Sequence, residues 1–168
     1  MPRATTSRTI SSISLLAQGT FDGPVGALDC KAIYKDSSIF ISWVSSCKVE
    51  RGWISIDDKT LGKVDFGTST DGIGKSDGLA VSLGDGGVAN VFFDGILHNG
   101  SGPDFAIFEN AFSDDFLELA FVEVSSDGIN YVRFPATSQT QFNTQIGPFG
   151  SMDPTNLNNL AGKYRMSW

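Results

Sequence analysis

Oxygen-bearing side chains crowd into one stretch of this 168-residue chain. Between Asn99 and Asn130, in NGSGPDFAIFENAFSDDFLELAFVEVSSDGIN, stand Asp104, Glu109, Asn110, Asp114, Asp115, Glu118, Glu123 and Asp127. Carboxylates and amide carbonyls on irregular loops suit calcium, which takes about six to eight hard oxygens. Calcium is therefore the expected cofactor, with solvated or loop-capping acids the competing reading of the same residues. Its expected ligands are Glu109, Asn110 and Asp114 at one end of the apolar run Phe105 to Phe108, with Asp104 and Asp85 at the other. The ends separate because five residues of extended chain span about 17 Å. The D-x-D-x-D-G signature of an EF-hand is missing.

The same carboxylates admit acid–base chemistry. Glycoside cleavage uses two of them, and Glu109 with Glu123 is the pair to consider. Their neighbours, however, are strand and core residues. By strand parity Glu118 shares a face with Ala120, Val122 and Val124, and Glu123 shares the other with Leu117, Leu119 and Phe121. One of the two thus projects from an otherwise apolar face and needs a partner. For Glu123 the available base is Arg133, and a cross-strand ion pair is the simpler reading. His98, in a Gly/Asn loop, reads as a surface histidine. Gly84-Asp85-Gly86-Gly87 joins two strands instead of opening a phosphate-binding helix. Trp43 and Trp53 are candidate ligand-stacking residues, as is Trp168, with core packing the competing fate of each.

Charge placement narrows the partners further. The net charge is −7, yet residues 64–130 hold twelve of the 19 acids and only Lys75 among the 12 bases, leaving that segment at −11 and the remainder at +4. Nucleic acid is disfavoured, because phosphate binding calls for a basic stripe. Two cysteines, Cys30 and Cys47, and one histidine are too few for a zinc site. The cysteines form either one disulfide, if the protein is exported, or two buried thiols. Nothing approaches the roughly 20 apolar residues of a transmembrane helix. The N-terminus, with Arg3 and Arg8 before Ile10 to Ala17, has the order of a secretory signal but a serine-rich centre. A degenerate signal, a misplaced start and a disordered leader all fit residues 1–19.

The elements that must position these groups are short strands. Residues 20–36 read as an irregular lead-in, Ser38 to Ser45 as helix or irregular chain, and Lys48 to Ile56 as a strand bent at Gly52. Leu79 to Leu83 and Val88 to Phe93 read as a hairpin across the Gly-Asp-Gly-Gly turn. Phe105 to Phe108 and Phe116 to Val124 supply two more strands. Ser125-Ser126-Asp127-Gly128 turns the chain into Tyr131 to Phe134, which Pro135 ends. Asp153 and Pro154 are placed to cap a helical turn, and Lys163 to Trp168 reads as the start of a strand. Several short strands with Gly/Asp loops and little helix indicate one all-β domain, an antiparallel β-sandwich over residues 20–168.

The run FVEVSSDGINY, Phe121 to Tyr131, resembles the hairpin of discoidin-type and other galactose-binding-like sandwich domains. A longer run beginning VSLGDGGVANVFFDGILHNGSGPDFAIFENAF, then RFPATS, TQIGPFG and NLNNLAGKYR, is similar to a family of secreted bacterial cell-surface proteins typical of Bacteroidetes. The resemblance spans most of Lys31 to Arg165. It implies export, surface exposure and a jelly-roll sandwich. It also implies further strands after the AGKYR run, so the last strands are expected to be missing here. The expected protein is a non-catalytic extracellular or cell-surface binding and adhesion module, calcium-stabilised, that takes a glycan or another small molecule. A glycan-active hydrolase domain using a carboxylate pair is the alternative.

Overall fold

The computed structural model describes residues 21–140, 146–147 and 150–165. The expectations for residues 1–19 and for Trp168 lie outside them. The chain is mostly β, with several small antiparallel sheets and helix limited to three short 3-10 turns among the described residues. In chain order the strands are β1 (Ser46–Glu50), β2 (Val88–Phe92), β3 (Glu123–Val124), β4 (Val132–Arg133), β5 (Thr137–Ser138) and β6 (Leu157–Asn158). They pair as β1–β2, β3–β4 and β5–β6, each antiparallel.

The longest ladder joins segments far apart in sequence, with Ser46 opposite Phe92 and Glu50 opposite Val88. Val88 to Phe92 thus pairs with β1 and not with Leu79 to Leu83, which forms no ladder and corrects the expected hairpin. The intervening glycines explain the change. Gly52 donates to the Leu83 carbonyl at 2.7 Å, while Trp53 and Asp85 exchange both backbone hydrogen bonds. A Cβ on Gly52 would sit 2.3 Å from the Asp85 carbonyl oxygen, so only glycine admits this approach. Arg51 fastens the same layer: its guanidinium donates to the carbonyls of Phe66 at 2.8 Å, Gly67 at 2.6 Å and Ser82. Ser38 to Ser45 is irregular up to this ladder.

The β3–β4 hairpin forms at the Asp127-Gly128 turn. Gly128 adopts φ +70°, and the Asp127 carboxylate accepts from the backbone N–H groups of Asn130 and Ile129 at 2.7 and 2.8 Å. These donors, with the Asn130 amide and the Ser125 hydroxyl, hold its carboxyl well below the usual range. Across the hairpin Glu123 faces Arg133, and Nε donates to Oε1 at 2.7 Å.

The two expected strands in 105–108 and 116–124 are corrected to irregular chain with sparse pairing. Phe105 to Phe108 makes no ladder, and the second run pairs only through β3 and a bridge from Ala120 to Ala161. That bridge draws residues 157–163 against 109–120, where the buried apolar side chains Ala111, Leu117 and Leu157 sit. Leu157, fully buried, contributes ~1.5–3 kcal/mol by transfer from water. Asp153 accepts from Thr155 N–H at 2.9 Å and Pro154 opens the 3-10 turn Pro154–Asn156 that feeds β6. Elsewhere large apolar side chains stay exposed, among them Ile41, Ile96, Phe112 and Ile129.

Candidate functional site

Where 102–109, 30–35 and 159–165 meet, they enclose a cleft of about 640 Å³. Its apolar wall includes Phe105, Phe108, Val122 and Phe134, with the Phe105 and Phe134 rings 5.8 Å apart. Its polar groups include Asp104, Glu109, Lys31 and Lys163. Residues 102–109 all line the cleft, so Asp104 and Glu109 mark two points on one wall.

Glu109 is the chemically unusual group. Burial, the nearby Glu118 charge and a hydrogen bond between the two carboxyls push its pKa from 4.5 up to about 8. Backbone N–H groups of Ala111 and Asn110 oppose the shift without cancelling it. Glu109 Oε2 and the neighbouring Asn110 Oδ1 are buried and lack hydrogen-bond partners. The Ala120–Ala161 bridge and Gly162 create this setting. Gly162 adopts φ +80°, and a Cβ there would meet the Glu118 carbonyl oxygen at 2.1 Å and Glu109 Cγ at 3.3 Å. The glycine thus lets the Leu160 to Lys163 segment close over the acid pair.

The other wall ends in a charged cluster. Lys163, 4% exposed, lies 3.1 Å from Asp22, and Lys31 approaches the same carboxylate oxygen at 3.4 Å. Burial raises the Asp22 carboxyl, but the two ammonium groups, Lys163 above all, outweigh it and leave the pKa below its ordinary value. Lys163 also lies 5.9 Å from the Phe21 ring and 5.3 Å from that of Tyr164.

The expected calcium ligands fall into different neighbourhoods. Asp85 Oδ2 accepts from Ile56 N–H at 2.8 Å, Asp104 Oδ1 accepts from Gly100 N–H at 2.8 Å, and Asp114 takes the Arg165 guanidinium at 2.6 Å. Asp114 lines a separate recess of about 400 Å³ with Asp115, Met152 and Pro154. Of these five expected ligands, Glu109 and Asn110 keep buried, unpartnered oxygens, and among the described residues no three Asp, Glu, His or Cys side chains converge on a metal position. Glu123 is held by Arg133 and does not line the Glu109 cleft.

The tryptophans divide as well. Trp43 packs 5.4 Å from Phe40 and 6.0 Å from Phe108, behind a residue that lines the cleft. The Lys59 and Lys63 ammonium groups lie 5.4 and 5.5 Å from the Trp53 ring. Cys30 and Cys47 are free thiols, and burial pushes the Cys47 thiol up. No helix among the described residues is long and apolar enough to cross a membrane. Comparison with protein-family models, curated proteins and solved structures finds no match for the chain.

The Glu109–Glu118 pair and the Lys163–Asp22 contact escape sequence reasoning. The available signal was Ala161-Gly162-Lys163: a small pair allowing close backbone approach, followed by a lysine that must find an acid.

Proposed function

We propose that this chain is a non-catalytic extracellular or cell-surface binding module whose Glu109 cleft captures a small polyhydroxylated ligand, a glycan by preference. The carrying observation is the cleft itself, an aromatic-lined recess around a carboxyl that keeps its proton near neutrality. A protonated carboxyl both donates and accepts, which matches a sugar hydroxyl, while phenyl rings take the sugar's C–H face. Hydrolysis fits less well. The Glu109 and Glu118 carboxyls hydrogen-bond to each other, whereas glycosidase carboxyls stand roughly 5–9.5 Å apart. The galactose-binding-like, jelly-roll form of the fold and the secreted setting are proposed on the resemblance of residues 121–131 and 31–165. The mostly-β architecture is compatible with them.

An immobilised glycan array with parallel hydrolysis assays tests this reading. Retention of saccharides without product, lost in Phe105→Ala, supports it. An empty array removes the binding reading, and product formation abolished by Glu109→Gln replaces it with catalysis.

A second reading adds calcium at the same pair, favoured by the two unpartnered buried oxygens of Glu109 and Asn110. With Glu118 these residues would supply part of the six to eight oxygens calcium takes, the rest coming from backbone or water. A melting temperature that is identical in chelator and in millimolar calcium would remove it.

A further inference from the structure

The cleft collects positive charge in a chain whose net charge is −7. Its lining holds Lys31, Lys35, Lys163 and Arg165 against Asp104 and Glu109. Asp114 neutralises Arg165 at 2.6 Å. Lys31 and Lys163 share the single carboxylate of Asp22, so that trio carries a surplus of one positive charge. Lys163 is 4% exposed and its ammonium makes no hydrogen bond. A buried ammonium with unmet donors is costly and is relieved by a nearby anion. Its field is screened less than that of a surface charge. Lys31, well exposed, offers the direct contact.

We infer that the saccharide taken by this cleft is acidic, with its anionic group lying against Lys31 in the field of the buried Lys163. The inference rests on the binding reading above. A surplus of one charge matches a monoanion, the carboxylate of a uronic or sialic acid unit, and the aromatic wall takes the rest of the sugar.

The test presents the full chain with a panel of uronate- and sialate-bearing oligosaccharides, each beside its uncharged methyl ester, and measures affinity by calorimetry. The acid form is expected to bind ~10-fold tighter than its ester, the scale of one charge-assisted hydrogen bond. Lys31→Gln should narrow that ratio by at least ~3-fold while Lys163 still pairs Asp22. Removing Lys163 alone would strand a buried carboxylate, so the Asp22→Asn/Lys31→Gln/Lys163→Met triple variant, which takes the surplus of the trio from one to zero, should bring acid and ester together. Equal affinity for acid and ester, or a preference for the ester, overturns the inference and leaves the binding reading standing. Binding of neither form overturns both. An unchanged ratio in Lys31→Gln and in the triple variant overturns the placement of the anion.

Discussion

Replacing Glu109 by glutamine should make the protein more stable at alkaline pH, and the size follows from the acid pair. In the unfolded chain the carboxyl titrates near 4.5, and in the folded chain near 8. Below 4.5 both states hold the proton and ionisation favours neither. Between 4.5 and 8 the unfolded state releases its proton while the folded state keeps it, so stability falls as pH rises. The full difference corresponds to ~5 kcal/mol at about 1.4 kcal/mol for each tenfold change in proton affinity. The side chain is only partly buried, and solvent screening reduces this to ~2–3 kcal/mol. The glutamine side chain would keep the shape and have no proton to lose. Wild type should therefore lose ~5–10 °C of melting temperature relative to Glu109→Gln between pH 5 and pH 8.5, at about 2–4 °C per kcal/mol for a chain of this length. Calorimetric scans of both proteins across that range measure it. Parallel profiles would refute the claim that burial and Glu118 hold the Glu109 proton.

Other outcomes follow from the scaffold. Arg51→Ala, which removes three guanidinium–carbonyl contacts, should cost ~2–4 kcal/mol in urea unfolding, and Arg51→Lys should recover little because one ammonium cannot replace the fork. Gly67→Ala combines φ +69° with a Cβ 2.1 Å from the Ala80 carbonyl oxygen and should cost more than ~2 kcal/mol, whereas Gly128→Ala, at φ +70° in open space, should cost only ~1 kcal/mol. A double-mutant cycle on exposed Glu123 and Arg133 should return a coupling of ~1 kcal/mol or less. Under the calcium reading, millimolar calcium should raise the melting temperature of wild type and leave that of Glu109→Gln unmoved; an equal shift in both would place the ion elsewhere.

Local chemistry made parts of this fold legible in the sequence. The Asp127-Gly128 turn, the Glu123–Arg133 pair and the Asp153-Pro154 cap depend on neighbours within about ten residues, and residue type nearly dictates them. The bend after β1 was legible too, through Gly52. Strand partnership was not. Val88 to Phe92 alternates well enough to pair with any suitable edge, and its choice of β1 is set by close glycine contacts that no periodicity encodes. β5 escaped because Thr137 and Ser138 carry no apolar signal; they join β6 through pairing across some twenty residues. The site was half visible. Glu109 and Asn110 stood out by type, but the acid that perturbs Glu109 proved to be Glu118, reached across a loop, and not Glu123, which Arg133 holds.

The central claim, that the Glu109 cleft is where a saccharide binds, is tested most directly by mapping amide chemical-shift changes as a glycan retained on the array is added to labelled protein. Changes should concentrate in residues 102–109 and 159–165, with Trp53 and the Asp114 recess quiet. Changes centred on Trp53 or on Asp114 and Asp115 would contradict it.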